Sequence, residues 1–259
     1  METRSSAWCD VAMIRRYVEF QESGGETVRR REVPTGGVSL VLSFGPTLRV
    51  NGSTFSSFLI GMWDQPAVTE HDGIADGVQI DLTAEAAYAL AGAPMDELTN
   101  RVVEVGELDT VDVDRLLNRL LETFSVLVAQ DELGAAMRAG PRMSAEVRWA
   151  HERLQVRPDT RIAALAEAVG WFCSRLVDRF RREIGVPPKT VARIARFRCT
   201  VDRMSVGETS LARIAAEAGY ADQSHFNRDV RALTGWTPGE LLADIRPRPA
   251  AEDALTLTA

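Results

Sequence analysis

The sequence predicts an α+β fold, with a β-rich N-terminal part followed by an all-helical C-terminal part. Short apolar runs separated by Gly and Pro lie in the first third of the chain, and a helical pattern that occurs twice lies in the last third. Apolar residues make up 45% of the 259 residues, which suits one large domain or two ordinary ones. No stretch of the sequence reaches the roughly 20 consecutive apolar residues of a membrane span.

The N-terminal part is expected to form a small sandwich or barrel of short strands. Residues 38–44 are a strand-like run, and residues 78–82 alternate apolar and polar side chains, as a half-buried strand does. Between two apolar runs, Asn51-Gly52 favours a two-residue hairpin turn. Residues 84–91 follow as a short helix, which the next Gly and Pro end.

Sandwiches and barrels commonly hold small molecules, so this part also offers a candidate pocket. The candidate lining residues are Phe55, Phe58 and Trp63, and the simpler alternative is that these aromatic side chains belong to the core. Residues 70–72, Glu-His-Asp, resemble an acid/base cluster. We interpret them as a turn of solvated polar residues, because neighbours on an extended chain point in alternate directions.

One long amphipathic helix is predicted over residues 112–138, where apolar residues step by three and four. This apolar stripe either packs on the β-rich part of the same chain or forms a dimer interface. Gly140-Pro141 ends the helix, and residues 144–155 follow as a short connecting helix. The candidate interface residues are Leu116, Leu120, Phe124 and Leu127.

The helical pattern in the last third of the chain occurs as two copies of an internal repeat. In each copy, apolar residues step 0, 3, 4, 7 toward a glycine, Gly170 in the first and Gly219 in the second. A second amphipathic run follows each glycine and ends at a Gly-x-x-Pro tetrad. The glycines are 49 residues apart and the tetrads 50. A helix, a glycine turn and a second helix form the helix-turn-helix pattern, and residues 188–204 predict a long helix between the two units.

The net charge of −7 is unevenly distributed along the chain. Residues 160–246 carry 14 Lys and Arg against 10 Asp and Glu, a balance of +4, and the remainder of the chain carries −11. Because exposed charges more than about 8–10 Å apart are screened at physiological salt, attraction to phosphate depends on the local balance. The repeat region therefore remains compatible with nucleic acid.

Several other classes of protein and site are excluded by what the sequence lacks. The three cysteines are far apart without a C-x-x-C spacing, which argues against a disulfide framework and a zinc site. With three histidines, no H-x-H pair, no Gly-rich phosphate loop and no G-x-S-x-G elbow, neither a metal, a cofactor nor an enzymatic activity is expected. The N-terminus lacks a basic segment followed by an apolar one, so a cytoplasmic protein is expected.

The phrase Asp-Gln-Ser-His-Phe at residues 222–226 and the tetrad Gly-Trp-Thr-Pro at 235–238 resemble the second helix-turn-helix of AraC/XylS-type transcription regulators. Residues 170–180 and 185–189 resemble the first. The resemblance covers residues 155–243. More loosely, residues 77–103 are similar to the end of the sensor domain of some such regulators, which is usually cupin-like and carries a dimerising helical extension.

The resemblance implies that one helix of each unit contacts double-stranded DNA. Gln and Asn suit adenine edges, Arg suits guanine or phosphate, and Ser suits either. For His225, a packed and hydrogen-bonded ring near the helix start is the alternative. The matching residues of the second unit are Gln223, Ser224, His225, Asn227, Arg228 and Arg231.

The first unit departs from the family pattern in its DNA-contacting helix. Asp178 stands where a basic residue is usual, and its carboxylate repels phosphate but accepts from cytosine. Phe172 replaces the usual Ser or Thr that caps the helix. A weaker or differently specific first unit is therefore expected. The candidate contact residues here are Ser174, Arg175, Val177, Asp178 and Arg179.

The sequence thus predicts a cupin-like sandwich or barrel with a helical dimerisation segment, followed by a double helix-turn-helix domain. Its parts are a sensor domain (8–105), a helical dimerisation and linker segment (108–154), a DNA-binding domain (155–243) and a flexible tail (247–259). The resemblance to these regulators implies a homodimer that binds promoter DNA, RNA polymerase and a small-molecule effector. It implies no membrane partner. An activator is the more usual outcome, and a ligand-independent repressor or an architectural DNA-binding protein is the alternative.

Overall fold

The computed structural model describes residues 13–108, 110–123, 125–245 and 256–258. Two antiparallel five-stranded sheets are formed by the N-terminal part together with one strand from the C-terminal tail. In spatial order, the first sheet consists of β1 (Ile14–Ser23), β8 (Ile74–Leu82), β3 (Val38–Ser43), β6 (Ser57–Ile60) and β9 (Val102–Glu104). The second consists of β10 (Thr256–Thr258), β2 (Val28–Glu32), β7 (Ala67–His71), β4 (Leu48–Val50) and β5 (Ser53–Phe55).

The first sheet is buried on both faces, because its central strand β3 carries consecutive apolar residues from Leu40 to Leu42. One face, including Leu40 and Ile80, packs into the main core with the helices. The other face contributes Val41 and Phe58 to a small cluster with Val50 of the second sheet. The sandwich expected from the sequence is therefore present, and its first sheet separates the helices from the space between the sheets.

The predicted hairpin and the first helix are both confirmed. Asn51 and Gly52 join β4 to β5 with φ of 50° and 84°, the left-handed values that this turn needs. The helix α1 (Ala84–Ala91) begins after Thr83, whose side chain accepts from the Ala86 amide, and ends at Gly92 with φ 66°. The short strand-like run and the alternating run of the sequence correspond to β3 and β8.

The predicted long helix over 112–138 is wrong in its continuity, because two helices occupy this region. They are α2 (Val113–Thr123) and α3 (Val126–Ala139), and α3 begins at Ser125, whose side chain accepts from the Leu127 amide. A serine that satisfies a free backbone amide favours a new helix start over continuation. The spacing of apolar residues continues across the break between the two helices. The periodicity of the sequence alone therefore did not reveal the break.

The C-terminal part is helical as predicted. It contains α4 (Ala145–Val156), α5 (Ile162–Ala168), α6 (Cys173–Ile184), α7 (Pro188–Ser205), α8 (Leu211–Glu217), α9 (Gln223–Thr234) and α10 (Pro238–Asp244). None of the helices that the structure describes is long and apolar enough to cross a bilayer.

Direct polar contacts join the β-rich and helical halves. Arg148 Nη1 of α4 lies 2.8 Å from Glu85 Oε2 of α1. The Thr99 hydroxyl donates to the Gly185 carbonyl at 2.7 Å, and Arg193 Nη2 of α7 donates to the Asp64 carbonyl at 3.1 Å. These bonds attach α6 and α7 to the sandwich.

The C-terminal tail was expected to be flexible over 247–259, and the structure assigns part of it to a sheet. Residues 256–258 pair antiparallel with β2, with Leu257 opposite Arg31. Residues 247–255 and 259 lie outside the described part of the chain, as do residues 8–12 of the expected sensor domain.

Candidate nucleic-acid interface

The second helix-turn-helix unit consists of α8, a turn at Gly219 with φ 80°, and α9. Asp222 starts α9, because its carboxylate accepts from the His225 amide at 2.6 Å. Phe226, Val230 and Leu233 are fully buried and fix the opposite face of α9 against the core. Five of the six predicted contact residues are exposed, namely Gln223, Ser224, Asn227, Arg228 and Arg231.

His225 is the exception among the predicted residues of α9. Its ring is half-buried and meets Tyr220 edge-on, with ring centroids 5.2 Å apart. Its Nε2 atom lies 3.5 Å from Asp229 Oδ2, one helical turn further on. Burial first, and the nearby Asp229 carboxylate second, raise the pKa of Tyr220 to about 12. The contacts with Tyr220 and Asp229 therefore hold the ring of His225 within its own helix-turn-helix unit.

The first unit consists of α5, a turn at Gly170 with φ 70°, and α6. Leu176 and Phe180 are buried on the inner face of α6. Of the predicted contact residues, three are exposed (Ser174, Arg175 and Asp178) and two are half-buried (Val177 and Arg179). The Arg175 guanidinium lies over the Trp171 ring, 4.5 Å from its centroid.

The N-terminus of α6 has an unusual residue at its first position. Phe172 occupies the capping position without a side-chain hydrogen bond, and 84% of it is exposed. In the second unit the equivalent position is Asp222, which does cap its helix. The two units therefore present different chemistry at the end of the helix that approaches DNA in this motif.

Glu183 is a buried carboxylate in α6 that the sequence interpretation missed. It is fully buried and accepts from the Ser144 amide at 2.7 Å and from the Ser144 hydroxyl at 2.9 Å. Arg179 Nη2 lies 2.5 Å from its other oxygen, so Arg179 is committed at least partly to this ion pair. The available signal was that Glu183 shares the inward face of α6 with Leu176 and Phe180.

The helix α7 joins the two units, as the sequence predicted. Its Arg196 guanidinium lies 5.7 Å from the Tyr220 ring centroid, and its Nη2 atom lies 3.7 Å from Asp229 Oδ2. Phe197 and Val201 are fully buried on its inner face. At 1.5 Å per residue, these 18 residues are about 27 Å long, comparable with the roughly 34 Å between successive major-groove faces.

A second candidate site is a cavity of about 650 Å³ between the two sheets. Two of the three predicted pocket residues, Phe58 and Trp63, line it. Phe55 does not, because it packs on Phe58 at the edge of the small cluster, with ring centroids 5.5 Å apart. The interpretation of residues 70–72 as a solvated turn is also wrong for Glu70 and His71, which belong to β7 and line the cavity; His71 is 7% exposed.

The predicted dimer-interface residues are not equivalent in the structure. Leu116 and Leu120 of α2 are buried in the core of the same chain, so they offer no surface to a second copy. Leu127 of α3 is 70% exposed, and Leu121 beside the break is 48% exposed. Phe124 lies outside the described residues.

Comparisons with protein families agree with this architecture. Residues 165–244 match a family described as a helix-turn-helix domain, and residues 11–104 match a domain of unknown function (DUF6597). Together with the repeated units and their exposed helix faces, these matches define a DNA-binding transcriptional regulator. The helix-turn-helix match and the paired units agree with the resemblance of residues 155–243 to AraC/XylS-type regulators.

Among solved structures, the C-terminal domain of AraT, a response regulator from Geobacillus stearothermophilus, is 21% identical. The match covers 44% of this chain and 95% of that one, with a TM-score of 0.39. ToxT from Vibrio cholerae O395 is 13% identical over 90% of this chain and 98% of that one, with a TM-score of 0.48. Wild-type ToxT from Vibrio cholerae strain SCE256, bound to an unsaturated fatty acid, is 12% identical over 90% and 96%, with a TM-score of 0.47. No curated protein matches the sequence.

Proposed function

We propose that the protein binds specific operator DNA beside promoters through both helix-turn-helix units, and that a small molecule in the sandwich controls this binding. The observation that supports the proposed DNA binding is the polar face of α9. Five candidate contact residues are exposed there, while Phe226 and Val230 hold the opposite face. In this motif the N-terminal residues of the second helix contact base edges in the major groove.

The side chains of α9 suit direct reading of base sequence. Gln223 and Asn227 can each form a bidentate pair with adenine, and Arg228 with guanine or a phosphate. Arg231, one turn further on, is suited to phosphate. Because His225 is held by Tyr220 and Asp229, we propose that it positions the start of α9.

The first unit is proposed to bind DNA more weakly and with a different preference. Its helix exposes Asp178, which repels phosphate, and Arg179 is drawn toward Glu183. Ser174 and Arg175 remain available to the groove. The second unit is therefore proposed to supply most of the sequence specificity, and the first unit to modify the affinity and preference of DNA binding.

For regulation, we propose three parts: a sensor domain (8–105), a dimerising and linking segment (108–154) and the DNA-binding domain (155–243). The cavity is the proposed effector site, and a ligand there acts through different affinities for two arrangements of the halves. A homodimer through the exposed part of α3, activation through RNA polymerase and action in the cytoplasm complete the proposal. The cavity favours this over a ligand-independent repressor or an architectural DNA-binding protein.

The test is selection of binding sites from random double-stranded DNA, followed by footprinting upstream of the neighbouring genes. We expect a site with two half-sites about one helical turn apart. Arg228→Ala should weaken binding, whereas Arg101→Ala, which removes an equal charge from an exposed position outside the helix-turn-helix units, should not. Selection of no sequence above background by the wild-type protein would refute the proposed function.

A further inference from the structure

We propose that the cavity binds an amphipathic organic cation, with an amine or amidinium group at Glu32 and an apolar body between the two sheets. This inference rests on the proposed ligand responsiveness and adds the chemical class of the ligand. It follows from the unfilled interior of the sandwich, the apolar walls, and a carboxylate that forms no ion pair with any residue the structure describes.

The interior of the sandwich is open where a protein of this size would normally be packed. The buried cluster between the sheets consists of Val41, Val50 and Phe58, while the space beside it measures about 650 Å³. Protein interiors are close-packed, and voids much larger than a water molecule are few. A cavity of this volume lies within the 300–1,000 Å³ range of small-molecule sites.

The walls of the cavity combine an apolar surface with a few polar groups. The apolar residues come from both sheets and include Val18, Phe20, Val41, Leu48, Val50 and Ile60. Trp63 is 7% exposed, and its Nε1–H has no hydrogen-bond partner among the residues that the structure describes. A buried donor without a partner is costly, and a ligand with an acceptor atom would satisfy it. The cavity therefore suits a ligand that carries both an apolar body and polar atoms.

One charged cluster in the cavity is already balanced. Arg30 Nη2 lies 2.6 Å from Glu22 Oε1, and His71 Nε2 lies 3.2 Å from Glu22 Oε2. This cluster spans the two sheets, because Glu22 belongs to β1 whereas Arg30 and His71 belong to the second sheet. The Arg30 charge is thus occupied and is not free for an anionic ligand.

Glu70, which also lines the cavity, is balanced by cations on the second sheet. Arg29 Nε lies 3.1 Å from one of its oxygens, and Arg49 Nε lies 3.8 Å from the other. These two arginines leave Glu70 without a need for a further cation.

Glu32 is the carboxylate that remains. It accepts a hydrogen bond from the Thr69 hydroxyl at 2.9 Å, and among the described residues none brings a cationic nitrogen within ion-pair distance. Burial raises the pKa of Glu32, and the Thr69 hydrogen bond and the Arg30 charge oppose this shift. A half-buried carboxylate that forms no ion pair is unfavourable, and a bound cation would remove that cost. A carboxylate ligand would instead add repulsion.

The position of Glu32 also connects the cavity to the DNA-binding half. Its neighbour Arg31 points away from the cavity, donates to the Thr234 carbonyl at 3.2 Å and lies 4.7 Å from the Trp236 ring centroid. Gly36, a few residues further on, lies against Ile194 of α7. One short segment therefore contacts the cavity on one side and, on the other, the end of α9 and the helix that joins the two DNA-binding units.

The test uses three matched series of probes on the full-length protein: straight-chain and arylalkyl amines, the carboxylic acids of equal size, and the corresponding alcohols. Binding is measured by the shift in melting temperature and by titration calorimetry. We expect amines to stabilise the protein and carboxylates to have no effect. Glu32→Gln should weaken amine binding at least about tenfold, as loss of a buried charge pair does.

Two controls keep the result interpretable. Glu97→Gln alters an exposed carboxylate outside the cavity and should leave amine binding unchanged. Glu32→Gln without ligand should melt no lower than wild type, because it removes a half-buried charge that no ion pair balances. Stabilisation by carboxylates, an unchanged amine affinity in Glu32→Gln, or no stabilisation in any series would overturn the proposed ligand class.

Measurement of DNA binding with and without the amine separates this inference from the proposed function. Amines that bind at Glu32 and change operator affinity support both. Amines that bind without changing operator affinity uphold the ligand class and refute ligand responsiveness. If carboxylates bind and change operator affinity, responsiveness stands and the ligand class is wrong.

Discussion

Acid should destabilise this protein through His151, a buried histidine between the two halves. His151 in α4 is 8% exposed and lines a small gap with Arg15 of β1 and Glu183 of α6. Its Nε2 atom lies 3.2 Å from the side-chain nitrogen of Gln155. Burial first, and the Arg15 charge second, lower the pKa of His151 from its usual 6.5 to about 4.

The direction in which pH changes the free energy of unfolding depends on whether the folded or the unfolded chain binds the proton at the higher pH. Because the pKa of His151 is lowered in the folded protein, the unfolded chain takes up the proton as the pH falls below 6.5. The stability that depends on neutral His151 is therefore complete above that pH and is lost progressively down to about pH 4. A shift of this size corresponds to about 3 kcal/mol in total. About 2 kcal/mol of it should be lost between about pH 7.5 and about pH 5.

The experiment compares urea unfolding of wild type and His151→Gln at these two pH values and at fixed protein concentration. Wild type should lose about 2 kcal/mol more than the variant over this range, since the other titrating groups are common to both. Gln155→Ala keeps the imidazole and should retain the wild-type pH dependence. Equal losses in wild type and His151→Gln would refute the assignment of a neutral buried histidine.

Four further predictions concern the helices. Arg228→Ala should weaken operator binding by roughly 1–3 kcal/mol and relax preference at one base pair in a selection experiment, and an unchanged footprint and affinity would remove Arg228 from the contact residues. Asp178→Arg should raise affinity for nonspecific DNA at low salt and steepen its salt dependence by about one unit of slope, and no increase would place Asp178 away from the duplex. Phe172→Ser should raise the free energy of unfolding by about 1 kcal/mol through a new helix cap, an effect that urea titration would detect or exclude. Leu127→Asp should lower the dimer fraction in sedimentation while the chain stays folded, whereas Leu120→Asp should unfold it; a folded dimer of the Leu127 variant would reject that interface.

The local pattern of the sequence was sufficient for elements whose signals are short-range. The turn at Asn51, the end of α1 at Gly92 and the repeated turns at Gly170 and Gly219 all have the positive φ that their glycine or asparagine permits. The exposed face of α9 also follows directly from the helical period, because each apolar residue on one side leaves a polar residue on the other.

Contacts between distant segments were not accessible in the same way. The sequence marked Leu116 and Leu120 as a possible interface, because an apolar stripe looks the same whether its own chain or a partner covers it. Glu183 and Ser144 are 39 residues apart, and nothing local in either segment indicates that one caps the helix of the other. The charged residues that line the cavity likewise come from two sheets, and the strands of these sheets are interleaved along the sequence.

The sequence by itself determined the class of this protein, because helical period, glycine turns and the spacing of the repeat are encoded within a few residues of one another. The tertiary structure alone decided which charges remain unbalanced. Whether Glu32, Glu22 or Arg179 has a partner depends on side chains brought together by folding, and a carboxylate changes its chemistry according to burial and neighbouring charge. For that reason the ligand class and the interface between the two halves could be argued only from the folded chain.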